Sequence, residues 1–249
     1  MHIYNEPVYD LSELARYNLH VHTVFSRCAK PEMLLKDIVA TAEAAGVEVI
    51  ALTDHYNFHD YDECYLAQIR LLKRQAAELS PKLRILFSGE LSNYGVGKQL
   101  ESAETVAALD YRLYTCNHFH LPVGEHPEDR SPRGYAQFQL DCIRALMEAR
   151  RADCIAHPLI GRFVKICEPA EVTKTITDNE LGELSELGRE AHVAWELNAG
   201  AVYGDPELFR RLWNIGREVG TYFHFGTDAH TLAALDTFAH VERLREILC

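Results

Sequence analysis

Short apolar runs alternate along the 249-residue chain with longer segments whose apolar residues recur every three to four positions. The short runs have the length and β-branched content of buried strands, and the longer segments have the one-sided pattern of helices packed on a sheet. A helix is expected to open at Pro31, to carry Leu34, Leu35, Ile38, Val39 and Ala42 on one face, and to stop at Gly46. The run 47–52 then reads as a strand. The order repeats as helix 60–79 and strand 83–87, a less regular helical stretch 102–109 and strand 111–116, and helix 135–150 and strand 152–156. Helix 179–191 with strand 192–198 and helix 206–219 with strand 221–225 follow. Counting a first strand at about 17–23, seven strand–helix units precede a last helix through Val241, Leu244 and Leu248. Such alternation predicts an α/β protein with a parallel sheet, closed or open. No linker, repeat or shift of composition marks a boundary, so 1–249 is expected to be a single domain.

The polar residues at the strand ends change the picture from fold to function. Thr53-Asp54-His55, Ser88-Gly89-Glu90, Asn117-His118, His157-Pro158 and Gly226-Thr227-Asp228-Ala229-His230 stand at or just past the C-terminal ends of the predicted strands. In an α/β barrel these ends converge on one face, where active sites form. The first strand adds Leu19-His20-Val21-His22-Thr23, and histidines two apart on a strand point the same way and can grip one metal ion. Alone that pair means little: with 13 histidines, roughly 0.7 His-x-His pairs arise by chance, and His118-Phe119-His120 is a second. Each other motif also has an ordinary explanation as a helix cap, a turn or a proline-restricted strand stop. What argues for a site is that all of them fall at strand C-termini together.

Other histidines carry no such argument. His2, His192 and His240 read as ordinary surface or partly buried groups and His224 lies within a strand, while His59, His120 and His126 lie near the predicted rim without an assigned role. Glu196 and Asn198 face one side of a strand, placed to line the pocket or to hold ligands from behind.

Composition removes several alternatives. The formal charge of −12, with Lys and Arg scattered, disfavours binding to long nucleic acid. No signal-like segment or membrane-length apolar run occurs, so a cytoplasmic location without membrane association is expected. The seven cysteines lack Cys-x-x-Cys spacing and mostly sit in apolar segments, as buried reduced thiols do.

With these motifs in family order over nearly the whole chain, the sequence resembles the PHP (polymerase and histidinol phosphatase) superfamily of metal-dependent phosphoesterases. The resemblance implies a distorted seven-stranded (β/α) TIM-like barrel holding two or three divalent ions, with Zn, Mn or Fe as the candidates. It implies one ion on His20, His22, Glu90 and Asp228, a second on His55 and His230, and a third sharing Glu90 and adding His118 and His157. His118 is preferred to His120 because an aromatic residue follows it. Family members usually carry Asp or His five or six residues beyond the second histidine of the first motif, whereas Arg27 and Cys28 stand here. Either Cys28 completes the second site, which favours zinc, or that site is weak and Arg27 faces substrate phosphate.

The function so implied is hydrolysis of a small phosphorylated metabolite or short nucleotide. Clustered ions would supply hydroxide near neutral pH and neutralise phosphoryl charge. Glu90, Asp228 and His230 are the expected catalytic residues, with His230 protonating the leaving oxygen. Arg162 and Lys165, which follow His157-Pro158, and Arg130 and Arg133, in and just after the long loop 121–132, are candidate phosphate contacts. Hydrolysis of a carboxylic ester, lactone or amide is the alternative chemistry, and a non-catalytic metal-binding domain the alternative class.

Overall fold

In the computed structural model, which describes residues 3–249, seven parallel strands follow one another in chain order around a barrel. They are β1 (Tyr17–Val21), β2 (Val49–Leu52), β3 (Arg84–Gly95), β4 (Tyr111–Thr115), β5 (Cys154–Ile155), β6 (Ala194–Asn198) and β7 (Phe223–Gly226). Helices fill the crossovers, chief among them Leu35–Ala44, Asp62–Leu79, Pro132–Glu148, Asp178–Ala191 and Pro206–Val219. The ring closes through a parallel bridge between Val21 and Ala229, where His22 N–H donates to the Ala229 carbonyl and Ala229 N–H to that of His20. The parallel α/β sheet expected from the alternation is therefore closed, and the barrel implied by the resemblance is the fold.

Strand parity places the core. Leu19, Val49, Ala51, Leu86, Leu113, Cys154 and Ala194 pack together inside the barrel. Ile50 and Leu52, of opposite parity on β2, instead join the helix residues Ile38, Val39 and Ala42. Strands buried on both faces read as continuous apolar runs, which is why they stand out in the sequence.

Several boundaries shift by one to three residues, among them the helix expected at 135–150, which spans Pro132–Glu148, and three differences are more instructive. The helix expected from Pro31 starts at Leu35, because residues 31–34 form a turn in which the carbonyl of Met33 accepts from Val24 N–H, and it is preceded by an unforeseen one-turn helix, Leu11–Leu14. Strand β5 is only Cys154–Ile155. Strand β3 runs well past residue 87, through Glu90 to Gly95, and hairpins onto a short strand, Lys98–Gln99, around Gly97 at φ +68°. Its extension is buried but polar (Ser88, Glu90, Ser92, Asn93), so an apolar-run criterion stops too early.

The seven cysteines are all free; Cys116, Cys142 and Cys154 are buried as expected, whereas Cys28, Cys64 and Cys249 are exposed. Among the described residues no helix is long and apolar enough to cross a membrane. His2 lies outside the described residues. His224 and His240 meet the hydroxyls of Tyr111 and Tyr203, and His192 caps a helix in the left-handed conformation.

Candidate metal centre

The strand ends bring His20, His22, His55, Glu90, His118, His157, Asp228 and His230 to one place, with Glu90 at the middle. Its Oε2 lies 3.6 Å from Nε2 of His20 and of His22 and 2.6 Å from His55 Nδ1. Its Oε1 lies 3.0 Å from His157 Nε2 and 3.5 Å from His118 Nε2. On the other side of the His20/His22 pair, Asp228 Oδ1 is 3.3 Å from His20 Nε2 and 3.0 Å from His22 Nε2. The two Nε2 atoms are themselves 3.1 Å apart.

Glycine makes this crowding possible in two places. A Cβ at Gly226 would come within 2.2 Å of Glu196 Oε1 and 2.7 Å of His20 Cβ. One at Gly89 would sit 2.5 Å from the Tyr65 hydroxyl, which lies 2.9 Å from the carbonyls of both Asp54 and Ser88. His157 and Asp228 hold positive φ values of 28° and 53°, uncommon for residues with a Cβ and frequent where function dictates backbone geometry.

Behind the converging atoms a second set of groups fixes the rings. Glu196 Oε1 accepts from His20 Nδ1 at 2.7 Å, and its Oε2 accepts the His157 backbone N–H. Ser26 Oγ is 2.9 Å from His22 Nδ1 while donating to Asp54, which also accepts both the N–H and the hydroxyl of Thr23. Ser92 Oγ donates to Asn57 Oδ1 and so is left to accept from His118 Nδ1 at 3.3 Å. The Asp228 carbonyl accepts from His230 Nδ1 at 2.8 Å. Each of these contacts places the proton on Nδ1 and leaves the Nε2 lone pair facing inward, the tautomer a ligand needs. His157 and His55 are exceptions: the amide nitrogen of Asn117 stands 3.2 Å from His157 Nδ1, and His55 turns Nδ1 toward Glu90 and Nε2 toward Cys28.

Electrostatics follow from burial and from these partners. Burial pushes His22 and His118 down to about 3, which keeps them neutral. For Glu90 burial works the other way, but His55 and His118 outweigh it and hold the carboxyl well below its ordinary range. Asp228 is likewise lowered against burial by His20 and His22. For His55 burial is overcome by Glu90, raising it to about 10.

The donor set fits divalent ions. Glu90 Oε2 and His55 Nδ1 are close, yet neither makes a hydrogen bond of acceptable geometry, so two buried polar atoms are left unpaired at the centre of the cluster. Such atoms call for a partner. Ligand atoms of His20/His22/Asp228, of His20/Glu90/His157 and of His22/His55/His230 each lie within 4.8 Å of one another. Cys28 Sγ sits 3.2 Å from His55 Nε2 and 3.0 Å from His230 Nε2, at the corner where the sequence departs from the family pattern.

A cavity of about 700 Å3 opens from the cluster, lined by Cys28, His55, Glu90, His118, His157, Asp228 and His230 on its floor. Of the cations proposed for phosphate, Arg162 lines it, while Arg27, Lys165, Arg130 and Arg133 do not. Arg27 is exposed, Arg130 donates to the Tyr135 hydroxyl, and Arg133 is held by Glu180 and the Thr175 carbonyl. Of the unassigned histidines, His120 lines the cavity, His126 meets the Tyr135 hydroxyl and His59 packs against Tyr94. Ser26 and Ser92 were not legible as site residues, because nothing in a single chain distinguishes them from other serines.

Fold and site together define an α/β barrel with a cluster of histidines and carboxylates at the C-terminal ends of its strands. Residues 18–111 match the PHP domain model, consistent with the PHP superfamily. No curated protein matches the sequence. Among solved structures, a Xaa-Pro dipeptidase with bound methionine is 15% identical over 93% of this chain and 70% of its own, with a TM-score of 0.46. An amidohydrolase from Pseudomonas aeruginosa is 11% identical over 96% and 94%, at 0.45. Deoxyribose phosphate aldolase from Aeropyrum pernix is 14% identical over 96% and 93%, at 0.41. Likenesses this distant carry no argument about function; the domain match and the ligand clusters support a metal-dependent hydrolase.

Proposed function

We propose that the protein is a metal-dependent phosphoesterase acting on a small phosphorylated metabolite or short nucleotide. The observation that carries this reading is the convergence of imidazoles on the buried Oε2 of Glu90, which has no hydrogen-bond partner, at the floor of an open cavity. His20, His22, Glu90 and Asp228 would hold one ion, His55, His230 and Cys28 a second, and Glu90 with His118 and His157 a third, from among Zn, Mn and Fe. Bound there, such ions acidify water and neutralise charge on phosphoryl oxygens.

The chain's own groups supply positioning. Glu196, Ser26 and Ser92 hold ring orientation from behind, and Arg162 at the cavity wall donates to the remaining anionic oxygens of the ester. Cys28, a thiolate when ligating, biases its corner toward zinc. His230 protonates the leaving oxygen from Nε2 only where that nitrogen is not given to an ion, because its Nδ1 is already committed to the Asp228 carbonyl. Among the described residues lining the cavity Arg162 is the one Lys or Arg, and this scarcity of cations is what favours a carboxylic ester, lactone or amide as the second reading.

The test is elemental analysis of the purified protein beside hydrolysis of p-nitrophenyl phosphate and its bis-ester with added manganese or zinc. Two or three metals per chain are expected, with turnover falling about 100-fold or more in His20→Ala or Asp228→Ala. Full metal content without phosphoester turnover would transfer the assignment to carbonyl substrates. A protein that takes up no metal on reconstitution would refute catalysis by this route altogether.

A further inference from the structure

Away from the cluster the cavity changes character. One part of its lining is the loop after β5, with Gly161 and Phe163, running into the helix that Pro169 opens; another is the short helix Ala199–Gly204 after β6, with Gly200, Ala201 and Gly204. The polar side chains near that helix are already committed. Asn198 takes the Ala201 N–H and donates to Glu196, Asp205 takes the Leu208 N–H and the Thr173 hydroxyl, and Thr227 Oγ1 accepts from Asn18. A polyhydroxylated group would find few partners there, and a second phosphate would meet the Asp205 carboxylate with no cation beyond Arg162.

The loop wall is aromatic. Phe163 and His120 lie with ring centroids 4.1 Å apart and planes inclined by 34°, His118 meets Phe163 edge-on at 5.4 Å, and the Arg162 guanidinium lies 5.4 Å over the same Phe163 ring. Phe163 is half-buried and opens to the cavity. Resting on the phosphoesterase reading, we infer that this end of the cavity is a leaving-group subsite for a flat aromatic ring bearing no second phosphate. The ring packs on the Phe163/His120 wall of the cavity that Gly200, Ala201 and Gly204 also line, while Arg162 stays with the single phosphate. Phe163 is the specificity-determining residue.

Benzyl, cyclohexylmethyl and glucose 6-phosphates are all primary alkyl esters, so they compare leaving-group recognition with little difference in leaving ability. With the metal-loaded protein, benzyl phosphate is expected to exceed both others by at least about tenfold in kcat/KM, as ring packing on an aromatic wall allows. Phe163→Leu, which keeps the apolar volume, is expected to bring the benzyl to cyclohexylmethyl ratio below about threefold through a rise in KM for the benzyl ester. Equal rates, or the reverse order, in the unmodified protein would overturn the inference while leaving the phosphoesterase reading intact. If no phosphoester is turned over, that reading fails, and calorimetric binding of benzylphosphonate against cyclohexylmethylphosphonate decides the subsite separately. Preference for the ring sustains it, and equal or undetectable binding refutes it.

Discussion

Glu196 touches no cavity wall, yet its two oxygens hold both His20 and the backbone N–H of His157, which come from different strands. Groups that orient metal-binding imidazoles typically change affinity 10- to 100-fold when removed, so Glu196→Gln should weaken metal retention by about that factor, read by titration with a competing chelator. Cys28 makes a second residue-scale prediction. Burial raises its thiol, but the hydrogen bonds from His230 and His55 prevail and bring it from 9.0 down to about 6. The thiolate is the reactive form, so alkylation of Cys28 in metal-free protein, followed by peptide mass, should rise with pH around a midpoint near 6. His20, His22, Glu90 and Asp228 were legible because strand ends in this architecture point at one another, which makes residues about 200 apart in sequence neighbours. The orienting groups were not: Ser26 acts only because its hydroxyl donates to Asp54 and is then free to accept from His22. Arg27 was singled out by the departure from the family pattern and Lys165, Arg130 and Arg133 by nearness to a rim loop, and neither warrant says whether a charge faces the cavity or pairs with a neighbouring helix, as Arg133 does with Glu180.

At the scale of elements, the helix Asp178–Ala191 shows how a local signal can be firm. Thr177 and Glu180 form a reciprocal capping box, and Arg133 from the helix Pro132–Glu148 lies on the same Glu180 carboxylate. Through the Arg133 hydrogen bond above all, Glu180 is lowered from 4.5 to about 2. Because the folded value is the depressed one, its contribution to stability is complete above about pH 4.5 and is lost as pH falls toward 2. Glu180→Gln should therefore lower the Tm at pH 7 but converge with the unmodified protein near pH 2 to 3, and Thr177→Ala should cost about 1 kcal/mol at neutral pH through the lost cap. Helix ends with such chemistry are readable in advance; Pro206–Val219 has Pro at its start and Gly220 at φ +80° after it and fell where expected. Strand β3 was not readable past residue 87, because its continuation carries Ser88, Glu90 and Ser92 on the buried face that the site requires to be polar.

For the whole molecule, the site and the closure of the barrel coincide. Between β6 and β7 the strands pair over four residues, Trp195 to Asn198 against Phe223 to Gly226. At the β7–β1 seam the backbone contributes one bridge, between Val21 and Ala229, assisted by the Asn18 side chain reaching Thr227. His20 and His22 lie on one side of that seam, and Asp228 and His230 on the other. An ion shared by these residues would fasten the two ends of the sheet together, and a ligand present at 1,000 times its Kd stabilises the folded state by about 4 kcal/mol. Removing metal with a chelator should thus do two things: lower the Tm, and speed amide exchange at 18–22 and 226–230 more than in β4 or the helix Pro206–Val219. Readdition of zinc should reverse both. A uniform rise in exchange across the barrel would mean that the ions stabilise the fold without clasping the seam, and unchanged exchange in a protein proven to have lost its metal would show that backbone pairing alone keeps the barrel closed.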